Sequence, residues 1–170
     1  MSSGDTWLRP PDSQRRFGVK GPRAADLLRQ LDLAVPDLPN HWSPLREHDE
    51  SWDVIARLGS TEFFIDESGD ARGIAALEKL TGEGIPGAYA VLREDFAVIL
   101  GGPLAHDVLA QVCNVNFAAL PEHAVVMTLM IGVAVLVMPR ETAGGRVYRI
   151  WCDPSFGSYL KSELEKMVDQ

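Results

Sequence analysis

One pattern occurs twice in this chain and constrains its fold more than any other feature. The ten residues from Gly21 read Gly-Pro-x-Ala-x-Asp-x-Leu-x-Gln, and the same pattern begins again at Gly102, 81 residues later. Each copy follows alternating apolar residues and leads into an apolar helix pattern. Glycine permits a sharp turn out of a strand, and proline is expected at the first helical position, where its missing N–H costs nothing. The two strand–turn–helix units predict a pseudo-symmetric α+β domain rather than a repeat array, which needs further copies.

The composition is that of a globular protein that does not bind polyanions. The chain has 170 residues, of which 46% are hydrophobic and 24% charged, and its formal net charge is −8. A surface of this charge repels phosphate groups, so neither nucleic acid nor a membrane is expected as a partner. Only two cysteines occur, and the residues up to Pro11 lack the apolar core of a signal peptide. We therefore expect a cytoplasmic protein.

The periodicity of apolar residues predicts an antiparallel sheet with packed helices. Strands are expected at 15–20, 52–58, 62–65, 89–92, 96–100, 125–130, 133–138 and 146–151, and helices at 22–31, 71–80, 103–112 and from residue 154 onward. Hairpin turns are expected at 59–61, 93–95 and 131–132. Residues 34–50, which contain three prolines, are expected to be irregular. Residues 1–13 are expected to form a flexible N-terminal arm and residues 14–170 a single domain.

The reactive residue types do not form a catalytic pattern. Asp26 and Asp107 occupy matched positions in the first turns of two helices, where a carboxylate complements the helix dipole. Cys113 and Cys152 have no neighbouring base in the sequence, which predicts inert thiols. No catalytic residue is therefore predicted.

The histidines do not show the spacing of a metal site either. Neither an HxH nor an HExxH motif is present. The histidines and their acidic neighbours are therefore interpreted as loop or isolated residues: His41, Glu47, His48, Asp49, Glu50, His106 and His123. Glycine pairs at 101–102 and 144–145 do not match a phosphate-binding or dinucleotide-binding loop.

Three tryptophans raise the question of a protein interface. Trp52 is expected to pack in the core from a strand. Trp42, in the irregular segment, is a candidate interface anchor, because aromatic residues are enriched at interfaces. Trp7, in the polar arm, needs a burial partner, which another chain can supply.

Four segments resemble the gamma subunit of heterotetrameric sarcosine oxidase. They are Gly21–Leu28, Ala56–Phe64, Leu100–Asn116 and Tyr148–Lys166, and in order and spacing they extend over about residues 15–168. The resemblance implies the fold of the folate-binding domain of the glycine-cleavage aminomethyltransferase.

The same resemblance implies a function in a heteromeric complex. The chain is then a non-catalytic structural subunit of a flavin-dependent, sarcosine oxidase-like complex that demethylates amines and passes one-carbon units to tetrahydrofolate. FAD/FMN, NAD and tetrahydrofolate are expected in the larger oxidase subunits and no cofactor in this chain. No metal site is expected here.

Tyr148 and Arg149 are the only cofactor-binding candidates that the resemblance offers. The family's Gly-xx-Gly-Tyr-Glu segment, whose acid meets the pterin, corresponds here to Gly145–Arg149. Tyr148 matches, but Arg149 replaces the acid, and a guanidinium has donors only. It can instead meet a carboxylate, such as the glutamate tail of folate or an aspartate of a partner.

Two alternatives remain open at this point. One is a stand-alone folate-dependent aminomethyltransferase or demethylase, which needs an acid against the pterin and a base in the same cleft. The other is an assembly factor for iron–sulfur clusters built on the folate-binding fold, which needs a reactive, exposed cysteine.

Overall fold

The chain has an α+β fold with two antiparallel sheets and four α-helices in its described residues. A computed structural model describes residues 5–47 and 51–170. These divide into two compact units. The central unit is Asp12–Glu94, and the terminal unit joins Asp95–Gln170 to the N-terminal residues up to Pro11.

The central unit contains five strands and two helices. The elements are β2 (Gln14–Lys20), α1 (Ala24–Gln30), β3 (His41–Pro44), β4 (Val54–Arg57), β5 (Glu62–Ser68), α2 (Arg72–Gly82) and β6 (Tyr89–Val91). The strands form one sheet in the order β3-β4-β5-β2-β6.

One face of the central sheet packs against its two helices. Apolar residues two apart on the strands share a face, and residues three or four apart on the helices share a stripe. The resulting core includes Phe17, Val19, Leu27, Leu28, Ile55, Phe63, Ile65, Ile74 and Leu77.

The terminal unit also contains five strands and two helices. The elements are β1 (Trp7–Arg9), β7 (Phe96–Gly101), α3 (Ala105–Val112), β8 (Val126–Met130), β9 (Val133–Thr142), β10 (Gly145–Cys152) and α4 (Gly157–Val168), with short 3-10 turns at Phe117–Ala119 and Pro154–Phe156. The strands form one sheet in the order β1-β7-β10-β9-β8.

The core of the terminal unit lies between this sheet and its two helices. It includes Val98, Leu100, Val108, Leu109, Val135, Val137, Tyr148, Ile150, Leu160 and Leu164. Asp153 caps the segment that leads into α4, since its carboxylate accepts the N–H of Ser155 at 2.8 Å and Pro154 follows it. The helix expected from residue 154 onward therefore begins as a short 3-10 turn and continues as α4.

The two sheets follow the same order of connections. In each unit, the strand of the repeated pattern is the second from one edge, and it leads through a helix to three further strands. The edge position beside it is taken by β6 in the central sheet and by β1 in the terminal sheet. The terminal unit therefore takes its edge strand from the N-terminus of the chain.

The repeated Gly-Pro pattern forms the same turn twice, although not as predicted. Gly21 and Gly102 have φ of 124° and 103°, and each carbonyl accepts the N–H three residues on, at 3.0 and 3.2 Å. The helices begin at Ala24 and Ala105. The prediction of proline at the first helical position was therefore wrong, because the tight turn includes both the glycine and the proline before the helix begins.

The predicted hairpin through residues 93–95 was also wrong. Strand β6 pairs with β2 in the central sheet, whereas β7 pairs with β10 and β1 in the terminal sheet. The guanidinium of Arg93 lies 3.3 Å from the carboxylate of Glu62 and above the ring of Phe64. These contacts hold the segment after β6 against the central unit, so it does not fold back as a turn.

Two short strands lie where the sequence predicted none. Residues 7–9, expected within a flexible arm over 1–13, form β1, since Leu8 packs against the core of the terminal unit and Trp7 lies over Gly101. His41–Pro44, in the segment expected to be irregular, forms β3 against β4. The residues expected to form a single domain, 14–170, are divided between the two compact units.

Candidate functional site

Strand β10 carries both sequence candidates, Tyr148 and Arg149, and directs them to opposite faces of the terminal sheet. Successive side chains of a strand alternate in direction. Tyr148 and Ile150 point into the core beneath the helices. Arg149, with 1% of its surface exposed, shares the other face with Trp151, and its guanidinium carbon lies 5.5 Å from that ring centroid. The structure therefore does not bring the two candidates together.

The hydroxyl of Tyr148 is engaged within the terminal unit. It hydrogen-bonds Nε2 of His106 from helix α3. The ring meets His106 and Phe117 edge-on, at centroid distances of 5.5 and 5.7 Å. Burial raises the pKa of the Tyr148 hydroxyl, against the opposing effect of Arg146, so the phenol stays neutral at physiological pH. Tyr148 acts here as a core residue that fixes α3 to β10.

Arg146 supports this cluster from the same strand. Its guanidinium donates to the carbonyl oxygen of Leu120 at 2.7 Å and that of Phe117 at 3.4 Å, and it forms an ion pair with Glu141. The 3-10 turn that carries Phe117 is thereby fastened to β10. The sequence did not indicate the two carbonyl partners, because Leu120 and Phe117 are 26 and 29 residues from Arg146 along the chain.

Neither cysteine has the environment of a nucleophile. Cys113 and Cys152 are both buried free thiols. Burial, followed by the charges of Asp153 and Asp95, raises the pKa of the Cys152 thiol to about 11. The Sγ atom of Cys113 lies 3.7 Å from Oγ1 of Thr128. An iron–sulfur assembly factor needs an exposed thiolate, and neither cysteine provides one.

The remaining sequence candidates are the two first-turn carboxylates and the loop residues around His41. Asp26 and Asp107 occupy the first turns of α1 and α3, as predicted, and are exposed. His41 Nδ1 lies 2.9 Å from the carbonyl oxygen of Pro39, while His48, Asp49 and Glu50 lie outside the described residues. Across residues 5–47 and 51–170, no three His, Cys, Asp or Glu side chains are placed to hold a metal ion.

The structure reveals a buried carboxylate that the sequence did not single out. Glu67, on β5, accepts the backbone N–H of Gly73 at 3.1 Å and of Ile74 at 2.8 Å, and Nη2 of Arg46 lies 2.8 Å from its Oε1. It thus satisfies the first N–H groups of α2, which has no capping side chain of its own. A Cβ at Gly73 would lie only 3.0 Å from a carboxylate oxygen of Glu67. A glycine near the start of α2 was therefore the one sequence signal that another group approaches the helix closely here.

Two of the three tryptophans singled out in the sequence, Trp7 and Trp42, are packed within the chain itself. Trp42 is 3% exposed on β3, so it is not the exposed interface anchor that the sequence suggested. Trp52 is partly exposed and precedes β4. Trp7 packs over Gly101, where a Cβ would lie 2.4 Å from its ring. Its burial partner is this chain.

These residues do not fit a pterin in the way that the family segment does. A carboxylate can accept hydrogen bonds from both the ring N–H and the amino group of a pterin, whereas the guanidinium of Arg149 can only donate hydrogen bonds. Tyr148 lies on the opposite face with its hydroxyl engaged by His106. No folate-dependent step is therefore derived from this segment.

Comparison with known proteins shows the fold. No family model matches the chain, and no curated protein matches it. A chain of the heterotetrameric sarcosine oxidase from Corynebacterium sp. U-96, solved with pyrrole 2-carboxylate, is similar with a TM-score of 0.79 at 18% identity. That match covers 99% of this chain and 86% of the other.

The second similar structure is the glycine cleavage system aminomethyltransferase T from Bartonella henselae. It has a TM-score of 0.72 at 19% identity and covers 95% of this chain. This chain spans 45% of that protein. The chain therefore has an aminomethyltransferase-like fold, as the sequence predicted. Among the described residues, no helix is long and apolar enough to span a membrane.

Proposed function

We propose that this chain is a non-catalytic, structural subunit of a heteromeric, flavin-dependent amine-oxidising complex of the sarcosine oxidase type. The observation that supports this most directly is the similarity to a sarcosine oxidase chain over 99% of this chain and 86% of that one. The two chains are thus of similar length. Within the proposal, the chain corresponds to the gamma subunit, and its two units are related by pseudo-symmetry.

The contacts of the candidate residues support a structural role. Tyr148 is fixed by His106, Arg149 lies against Trp151, and the thiol of Cys152 is held in its protonated form. Each group is used in packing. In this proposal, larger subunits hold FAD/FMN, NAD and tetrahydrofolate, and the assembly acts in the cytoplasm on a methylated amine.

The test is to isolate the complex with and without this chain. The tagged full-length chain, purified from its native host, should bring down a larger flavin-containing subunit, identified by mass spectrometry and flavin absorbance. The purified chain alone should neither absorb as a flavoprotein nor oxidise sarcosine. A strain that lacks this chain but yields a fully active oxidase complex would overturn the proposal.

The alternative function is a stand-alone folate-dependent aminomethyltransferase or demethylase, favoured by the similarity to aminomethyltransferase T. Calorimetric titration of the purified chain with tetrahydrofolate separates the two. Micromolar binding that is lost in Arg149→Gln but kept in Arg72→Gln, whose side chain is exposed in the central unit, would favour the alternative. Absence of binding by the folded chain would reject it.

A further inference from the structure

Strand β8 forms one edge of the terminal sheet, and among the described residues its pairing partner is β9 alone. The β8–β9 hairpin closes through Ile131 and Gly132, whose φ values are 50° and 80°. Positive φ at both positions is typical of a two-residue type I′ turn. The flanking residues Met130 and Val133 then exchange both main-chain hydrogen bonds, and bonded and non-bonded pairs alternate from there.

This alternation determines which main-chain groups of β8 face outward. Val126, Thr128 and Met130 bond to β9. Met127 and Leu129 therefore direct their N–H and C=O groups away from β9, toward the outer edge of the sheet. The same two residues carry large apolar side chains that are 59% and 64% exposed. The edge thus presents both main-chain groups and apolar surface.

The sequence of β8 itself contains none of the features that discourage the addition of another strand. Proteins usually protect edge strands with charged side chains, proline or a bulge. Strand β8 has no proline and no charged residue, and the uncharged stretch extends from Ala124 to Pro139. Its register with β9 is regular from Val126 to Met130. This edge is suited to pairing.

We propose that β8 pairs antiparallel with β8 of a second copy of this chain, across a two-fold axis at Thr128. In this register, Met127 of each copy lies opposite Leu129 of the other as a hydrogen-bonded pair. The four resulting bonds use every outward N–H and C=O of Met127 and Leu129 in both copies. Their side chains meet on one face as an apolar cross-strand pair.

Charge and two-fold self-complementarity favour a second copy of this chain as the partner of β8, and the contact area indicates how tightly the two copies bind. Each chain carries a formal net charge of −8, yet the uncharged stretch lets two copies meet here without placing like charges in contact. An antiparallel strand pair is also self-complementary, as a two-fold interface requires. A contact over five residues is smaller than the roughly 1,200–2,000 Å² of stable interfaces. The dimer is therefore weak and depends on concentration.

Sedimentation velocity of the purified full-length chain, from about 1 µM to about 1 mM, tests the proposal. Dilute protein should sediment as a monomer and concentrated protein as a species of twice the monomer mass. Amide hydrogen exchange at Met127 and Leu129 should slow as concentration rises, while exchange at Tyr89–Val91, on an edge of the central sheet, should not change.

Two variants of Leu129 separate pairing from folding. Leu129→Lys adds a charge at the edge and should abolish the dimer. The matched control is Leu92→Lys, at a leucine that is 82% exposed, and it should leave the dimer intact. Leu129→Pro removes only an outward N–H, so the β8–β9 ladder remains while pairing is lost. Circular dichroism verifies that each variant is folded.

Each outcome decides the question. A monomer throughout the concentration range would overturn the proposal and leave the edge to a strand of a different protein. A dimer that survives Leu129→Lys, or a series of larger species, would overturn it as well. The sample contains no other subunit, so the result does not depend on the proposed oxidase complex.

Discussion

Arg57 shows how this chain uses a charged side chain to organise its main chain. Its guanidinium donates to the carbonyl oxygens of Pro36 at 3.2 Å, Asp37 at 2.8 Å, Gly59 at 3.3 Å and Ser60 at 2.7 Å. Two loops of the central unit are thereby held together. A guanidinium carries five N–H donors in a fixed fork, so a single arginine at the end of β4 can bridge both loops.

The raised pKa of Cys152 predicts a pH dependence of stability. Burial raises the pKa of the Cys152 thiol to about 11 in the folded chain, from an ordinary value of 9.0. Between these values the unfolded chain has lost the proton that the folded chain keeps, so stability falls as pH rises. The fall amounts to at most about 2.7 kcal/mol at about 1.36 kcal/mol per unit.

Urea unfolding of wild type and Cys152→Ala at pH 8, 9, 10 and 11 measures this contribution. The difference in unfolding free energy between the two proteins should shrink as pH rises through this window. Other residues that titrate there affect both proteins alike. A difference that stays constant from pH 8 to pH 11 would contradict the burial-raised pKa.

Only part of the residue chemistry was accessible from the sequence. Alternation along a strand already places Tyr148 and Arg149 on opposite faces, once β10 is recognised. The bond from Tyr148 to His106 was not predictable, because it joins residues 42 apart that neither periodicity nor spacing connects. The capping of α2 by Glu67 was missed for another reason: the carboxylate is only six and seven residues from its partners, but it comes from strand β5 and not from the N-cap position.

The strand–turn–helix element depends on its glycine for a steric reason that both copies share. A Cβ at Gly21 would lie 2.4 Å from the carbonyl oxygen of Gly87, and one at Gly102 would lie 2.5 Å from the Cα of Thr6. In each unit, the chain entering the neighbouring edge strand passes directly over the glycine. The turn and the edge strand are therefore coupled.

Gly102→Ala should destabilise the protein by about 1–3 kcal/mol, because it combines a positive φ with contact against the main chain. Gly59→Ala is the control, since a Cβ there meets nothing within 4 Å and its φ is not in the left-handed region. Thermal and urea unfolding of both variants measure the effect. Equal stability of the two would show that the turn tolerates a side chain.

Elements with strong local signals were predicted, and those that depend on distant partners were not. The β8–β9 hairpin follows from Gly132 between two apolar runs, and the entry to α4 from Asp153-Pro154. Strands β1 and β3 are only three and four residues long, and their pairing partners define them. The hairpin expected between β6 and β7 has suitable local sequence, but its strands belong to different sheets.

At the scale of the whole molecule, the terminal unit is assembled from both ends of the chain. Strand β1 pairs with β7 from Trp7 opposite Gly101 to Arg9 opposite Ile99. The Oγ1 atom of Thr6 accepts the N–H of Leu104 at 2.9 Å, just before α3. The N-terminal segment is therefore part of the fold of this unit.

Trp7→Ala should lower the unfolding free energy by about 1–3 kcal/mol, because a partly buried aromatic side chain leaves the surface of Gly101 uncovered. Amide exchange in β7 should accelerate, while exchange in β5 of the central unit should be less affected. Leu38→Ala, at an exposed apolar residue of the central unit, is the control. Unchanged β7 exchange in Trp7→Ala would show that β1 contributes nothing to the sheet.

The origin of β1 also determines the order in which the chain can fold during synthesis. The ribosome synthesises this strand before the central unit, whereas its pairing partner β7 is translated only after the central unit. The central unit can therefore fold on the nascent chain while β1 remains unpaired, because β7 has not yet been synthesised. A stall of translation before residue 101 would leave Trp7 and Leu8 open to chaperones.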